Sequence, residues 1–132
     1  YVIADNEIAR ILPETTVEEF KQNVTLENVT TEPKMVFTDE QGNILDDSSL
    51  VATGTKLKVG NNLRFTLIVI GDVDGNSKIN LNDLAKMKLH IIDKEFLSGI
   101  KLKAADIDGN NLVTINDLAK IKLILIDKSE SN

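Results

Sequence analysis

The chain has 132 residues, 42% hydrophobic and 27% charged, with 21 acids against 15 bases and a formal charge of −6. That length holds one ordinary domain or two small ones, and the acidic balance argues against a nucleic-acid binder, where a basic patch is expected. Cys is absent, which excludes disulfide staples, zinc–thiolate centres and cysteine nucleophiles, and no apolar run approaches the ~18 residues of a membrane span.

The chain opens on Tyr1 with no basic-then-apolar leader, and reads as a fragment whose targeting information lies upstream. "YVIADNEI" predicts an opening strand. "PETTVEEFKQN" carries helix-start chemistry: Pro13 lies upstream, and Thr16 with Glu19 three residues on makes a capping-box pattern, with Val17 and Phe20 facing inward. The β-type runs "VTLENVT", "KMVFTD", "TKLKVG" and "NLRFTLIVI" follow, separated by the turn signals "DEQGN", "DDSS", "ATG" and "GNN". Residues 1–70 therefore read as a small α+β module, mostly β with one helix. An immunoglobulin-like sandwich is the alternative.

Residues 71–132 are different. Aligning Asp72–Lys94 on Asp106–Lys128 gives 14 identities in 23 positions, a repeat with a period of 34 residues. The identities concentrate in the polar "DVDGNSKINLND" and "DIDGNNLVTIND" segments, which disfavours a helical solenoid, where packing positions would repeat. With Asp72 as position 1, oxygen-bearing side chains fall at positions 1, 3, 5, 9 and 12: Asp72, Asp74, Asn76, Asn80 and Asp83, then Asp106, Asp108, Asn110, Thr114 and Asp117. This is the spacing by which a 12-residue loop wraps a calcium ion, with position 7 (Lys78, Leu112) supplying its backbone carbonyl. Calcium is hard and takes six to eight oxygens, which alternate residues of a tightly wound loop supply. Two bound Ca²⁺ would take residues 71–132 from a net charge of −1 to +3.

Two positions depart from the usual loop. Position 6, where the chain turns with positive φ, is Ser77 and Asn111 in place of Gly. Position 12 is Asp in place of Glu, one methylene shorter, so the following helix must approach more closely. Position 8 (Ile79, Val113) is expected to lay the two loops side by side through a short strand pairing. A calcium sensor places a helix before each loop, but "NLRFTLIVIG" before Asp72 is β-branched and ends in Gly, which predicts a strand.

The helices leaving the loops, the first running from Leu81 to about Asp93, are unusually apolar. At 100° per residue from Leu81, apolar side chains span an arc of about 200°, wider than the ~100° stripe of a surface helix. One edge, Leu84, Met87 and Ile91 with Leu118, Ile121 and Leu125, is assigned to the core. The other edge is Leu81, Ala85, Leu89 and Ile92 with Ile115, Ala119, Leu123 and Ile126. There Ile92 and Ile126 are read as core, and Leu81, Leu89, Ile115 and Leu123 as a protein-binding strip with Lys88 and Lys122 inside it.

"GDVDGNSKINLNDLAKMKLHII" followed by "AADIDGNNLVTINDLAKIKLILI" resembles a type I dockerin. The resemblance implies an all-α module of two loop–helix half EF-hands (72–94 and 106–128) held by two Ca²⁺. It implies a non-catalytic module that binds a cohesin domain, as in secreted bacterial carbohydrate-active enzymes and cell-surface proteins. It places recognition on Leu81, Asn82, Lys88, Leu89 and Asp93, and on Ile115, Asn116, Lys122, Leu123 and Asp127; the helical edge adds Ala85 and Ala119. The familiar cellulosomal Ser-Thr pair at positions 10 and 11 is replaced by Leu-Asn and Ile-Asn, which points away from a typical cellulosome cohesin. The near-identical repeats imply a partner that docks in two orientations rotated by about 180°. "TTVEEF", "DEQGNIL" and "VATGTKLKV" running directly into "GDVDG" resemble the X-type modules that precede dockerins in clostridial surface proteins. With no Ser/Pro/Gly linker between the halves, a rigid pair is expected, monomeric without its partner.

Other functions fare worse. His90, the single histidine, falls on the polar side of its helix, and carboxylate pairs such as Glu18/Glu19 and Asp46/Asp47 read as solvated, so no enzyme is supported. A glycan site would stack on Trp or Tyr, and the chain offers only Tyr1. The remaining alternative is an EF-hand-type calcium module with another protein or an intramolecular partner.

Overall fold

A computed structural model of the chain describes residues 2–4, 6–23, 35–60 and 63–130. Five strands, β1 (Val2–Ala4), β2 (Glu7–Ile11), β3 (Met35–Thr38), β4 (Lys56–Val59) and β5 (Leu63–Val69), form a single sheet in the order β1-β2-β5-β4-β3. β2 and β5 are parallel at its centre and the other pairs are antiparallel. The predicted opening strand is thus a hairpin, β1 and β2. The run "VTLENVT" lies outside the described residues.

Helix α1 (Val17–Asn23) starts as the sequence predicts. Glu19 N–H donates to Thr16 Oγ1 at 3.2 Å and Thr16 N–H to Glu19 Oε1 at 3.3 Å, the reciprocal pair of a capping box. Val17 and Phe20 are buried against Ile8, Ile11, Phe37, Leu57, Leu67 and Val69 of the sheet. The rings of Phe20 and Phe37 meet edge to face at 5.5 Å. One sheet with a helix on one face is an α+β arrangement. The sandwich alternative is overturned, because the described residues form no second sheet for the first to pack on.

Leu67, Ile68 and Val69 are all buried. Side chains alternate across a strand, so Leu67 and Val69 face α1 and Ile68 faces the opposite side. There helix α3 (Gly99–Ala105) packs on β5 and β2. This explains the unbroken apolar run "LIVI": the strand is covered on both faces. Helix α3 is not foreseen from sequence; "SGIKLKA" is short, and Gly99 opens it.

Helices α2 (Leu81–Ile91) and α4 (Ile115–Glu130) pack on each other and enclose a second core of Val73, Ile79, Met87, Ala105, Ile107, Leu118 and Ile121. Leu84, Ile91 and Leu125 border it as expected, joined by Ile124. Ile92 and Ile126, assigned to the core, are each 50% exposed. The two helices meet along the edge carrying Met87 and Ile121, which turns the far edge of the 200° arc away from the contact. The strand pairing expected at Ile79 and Val113 is also absent, since no β-bridge joins them among the described residues. Both side chains instead pack into the second core. No described helix is long and apolar enough to cross a membrane.

Candidate functional site

Two residues, Ile70 and Gly71, separate β5 from the first loop. Gly71 turns the chain at φ +82°, and a Cβ there would lie 2.7 Å from Ile79 Cδ1, so position 71 takes no side chain without displacing the core. Asp72 follows, fully buried. Its Oδ1 accepts from Asn76 N–H at 3.1 Å, and its Oδ2 from Ser77 N–H at 3.0 Å and Thr53 N–H at 2.9 Å. Asp83 closes the other end, accepting from Asp74 N–H at 3.0 Å and Asn80 N–H at 2.9 Å. It is the third residue of α2 and completes a capping box with Asn80.

The second loop repeats the pattern. Asp106 accepts from the N–H groups of Gly109, Asn110 and Asn111 at 2.8–3.2 Å. Asp117 accepts from Asp108 N–H at 3.0 Å and Thr114 N–H at 2.9 Å. Ser77 and Asn111 take φ of +73° and +68° at position 6, the conformation that the usual Gly allows. Asn76 and Asn110 accept from the amides of Lys78 and Leu112, both at 3.0 Å, while Asn80 and Thr114 accept from Asn82 and Asn116 at the helix starts.

The result is two tight carboxylate groups. Oxygens of Asp72, Asp74 and Asp83 lie within 4.8 Å of one another, and so do those of Asp106, Asp108 and Asp117. Burial pushes the Asp72 carboxyl up to about 6, against the lowering effect of the Thr53 and Ser77 amides, with the Asp74 charge adding to the rise. Burial likewise lifts Asp83 to about 7, and raises Asp106. Three carboxylates crowded together with amide, hydroxyl and carbonyl oxygens, and no nitrogen or sulfur donor, are a donor set for a hard divalent cation. The residues therefore fit calcium.

A pH dependence follows from these shifts. A carboxyl whose folded pKa is raised binds its proton more tightly folded than unfolded, so its contribution is fully present below about 4 and is lost as pH rises through about 6 for Asp72 and about 7 for Asp83. The chelated protein is expected to melt at a lower temperature at about pH 8 than at about pH 5. With excess calcium the order reverses, because the metal takes the ionised form. Thermal melts at the two pH values, with and without chelator, check both signs.

On the helices that leave the loops, Leu81 is 71% exposed, Ile115 63% and Leu123 61%, while Leu89 is half-buried. Asn82, Ala85, Lys88 and Asp93, and Asn116, Ala119 and Lys122, are exposed or half-buried; the side chain of Asp127 lies outside the described residues. His90 has a structural role, because its Nδ1 accepts from Leu97 N–H at 3.0 Å and its ring meets Phe96 edge to face.

Sequence reasoning missed the contacts that the sheet makes with both loops. Besides the Thr53 amide on Asp72, Arg10 donates from Nη1 to Asp106 O at 2.7 Å and from Nη2 to Ile107 O at 2.6 Å. Lys103 on α3 pairs with Glu7 on β2, and Gly71 N–H donates to Ala104 O at 2.8 Å. A signal for Arg10 existed. Ile8 and Ile11, both apolar, are three apart, and burying both in one core takes a bulge at Ala9–Arg10.

Residues 70–125 match the family model of the dockerin type I domain. No curated protein and no solved structure matches the chain.

Proposed function

We propose, on the premise of that dockerin match, that the chain is a calcium-dependent adhesion unit of a secreted or cell-surface bacterial protein. Dockerin domains bind calcium and cohesin domains, act as interaction modules rather than catalysts, and occur in secreted bacterial proteins. In this reading residues 71–132 are the dockerin and residues 1–70 an X-type accessory module that buttresses it. Two Ca²⁺ occupy the loops, held by Asp72, Asp74, Asn76, Asn80, Asp83 and the Lys78 carbonyl, and by Asp106, Asp108, Asn110, Thr114, Asp117 and the Leu112 carbonyl. The cohesin domain contacts the exposed edge of α2 and α4, and the unit is monomeric without it.

One observation carries the reading. Each carboxylate triad leads directly into a helix whose apolar edge is left in solvent, at Leu81 and Ile92 in the first repeat and at Ile115, Leu123 and Ile126 in the second. The metal orders the loop and fixes the helix start; the helix then offers a surface. Calcium supplies the positive charge that lets three carboxylates ionise side by side.

The experiment is a binding titration of the immobilised chain against purified type I cohesin domains, with calcium and with a chelator. At least one domain is expected to bind in calcium and to lose about 100-fold or more when the metal is removed, because the binding energy of a structural metal is folding energy for the surface it orders. Binding of equal strength in both conditions would end the proposal. Calcium binding with no affinity for any cohesin domain would favour the alternative, an EF-hand-type module with another partner.

A further inference from the structure

Arg10 stands out as a polar residue built at a cost. It lies on β2 with φ +67°, in a bulge between Ile8 and Ile11 where the register to β5 shifts. A bulge re-aims a side chain, and a left-handed non-Gly residue is a strain that surrounding contacts must hold in place. The bulge turns the guanidinium to the second loop, across 96 residues of sequence. Both terminal nitrogens are occupied, one on the carbonyl of Asp106 and one on that of Ile107. The same group lies against Gly109, 3.6–3.8 Å from where a Cβ would be. Arg10 therefore grips positions 1, 2 and 4 of the loop, and holds it through backbone oxygens, leaving the Asp106 carboxylate to the loop's own amides.

The first loop is held at the same places by different chemistry. The Thr53 amide donates to the position-1 carboxylate of Asp72, and Thr53 O packs so closely on the position-4 glycine, Gly75, that a Cβ there would sit 2.8 Å away. The turn containing Thr53 is itself fixed to β5, with Thr53 Oγ1 bonded to both the amide and the carbonyl of Val69. One sheet thus clamps both loops at equivalent positions, once with a backbone amide and once with a guanidinium.

We infer that Arg10 is the positioning residue of the second calcium loop, holding it in its binding shape before the metal arrives, so that the sheet sets that loop's affinity for calcium. The inference rests on the calcium reading above. Preorganisation removes part of the ordering that binding otherwise requires. Fixing a ligand's support in this way is the role of outer contacts at metal sites, whose removal typically weakens binding about 10–100-fold.

The test uses the full chain with Arg10→Gln and Arg10→Lys. Calcium titrations are followed by the amide resonances of Gly75 and Gly109, one reporter for each loop. Arg10→Gln is expected to weaken the second loop about tenfold and the first by less than about twofold. Arg10→Lys, which keeps the charge but reaches one carbonyl, is expected to fall between. Hydrogen exchange of the Asn110 and Asn111 amides in chelator reads the loop's shape without metal, and is expected to quicken about tenfold in Arg10→Gln with Asn76 and Ser77 unchanged. Equal weakening of both loops, or no change in either measurement, would overturn the inference. Failure of the unsubstituted chain to bind calcium would remove the calcium reading instead, and the exchange rates would still decide whether Arg10 shapes the loop.

Discussion

With both loops loaded as proposed, stripping calcium is expected to lower the melting temperature of the helical half by roughly 30 °C or more while the sheet stays folded. The size follows from linkage. A site with free calcium at about 1,000 times its dissociation constant contributes about 4 kcal/mol, two contribute about 8, and each kcal/mol moves the midpoint by at least about 4 °C in a unit of about 60 residues. The location follows from the two cores. The sheet core of Ile8, Phe20, Phe37, Leu57 and Leu67 contains no residue of either loop, whereas Val73, Ile79 and Ile107 of the second core are loop residues between the carboxylates. Without metal, burial and crowding oppose ionisation of Asp72 and Asp83, and the first loop, which carries Val73 and Ile79, loosens. Calorimetry with and without chelator should separate two transitions, only one of them calcium-dependent. A single transition insensitive to chelator would contradict both the site and its link to the second core.

How much of this was legible in the sequence depended on the range of the interactions. The α1 start was readable because Thr16 and Glu19 are three residues apart and complete each other's hydrogen bonds. The loops were readable because a 12-residue ring closes on itself: Asp72 reaches Asn76 and Ser77, and Asp83 reaches Asn80. The spacing of the carboxylates is the geometry. What was not readable is the joint. Thr53 to Asp72 and Arg10 to Asp106 are long-range pairings; the spacing of Ile8 and Ile11 hints at the bulge that carries Arg10, but no local pattern names the partner of either residue. Helix periodicity yields the wide apolar arc but not its division, since which 100° faces inward depends on where α2 meets α4. Periodicity alone therefore puts Ile92 and Ile126 in the core, and the structure leaves both half in solvent.

The near-identity of the repeats leads to the expectation of two equivalent docking orientations, and on the proposed cohesin reading the exposed faces of α2 and α4 differ in a way that bears on it. At the helix starts the faces match, with Leu81 and Ile115 both well exposed. One turn or two further they diverge. Leu123 is 61% exposed on α4, which continues to Glu130, whereas α2 ends at Ile91 and the chain folds back. There Lys94 N–H donates to Leu89 O at 2.9 Å, Asp93 takes φ +61°, and Leu97 N–H bonds to His90, leaving Leu89 half-buried. A partner that needs an extended apolar helix edge therefore finds a better one on α4. If both orientations bind equally, Leu81→Asp and Ile115→Asp each cost about twofold in cohesin affinity, by loss of one of two modes, while the double variant loses 100-fold or more. The exposed length of α4 predicts a departure from that symmetry: Ile115→Asp with Leu123→Asp should cost about tenfold or more, and Leu81→Asp with Leu89→Asp less than about threefold. Melting temperatures in calcium, expected to hold for the substitutions at exposed positions, separate a lost contact from a lost fold. Equal losses from the two pairs would restore full equivalence of the orientations. Loss confined to the Leu81 and Leu89 pair would place the dominant face on α2, against the exposure of its last turn.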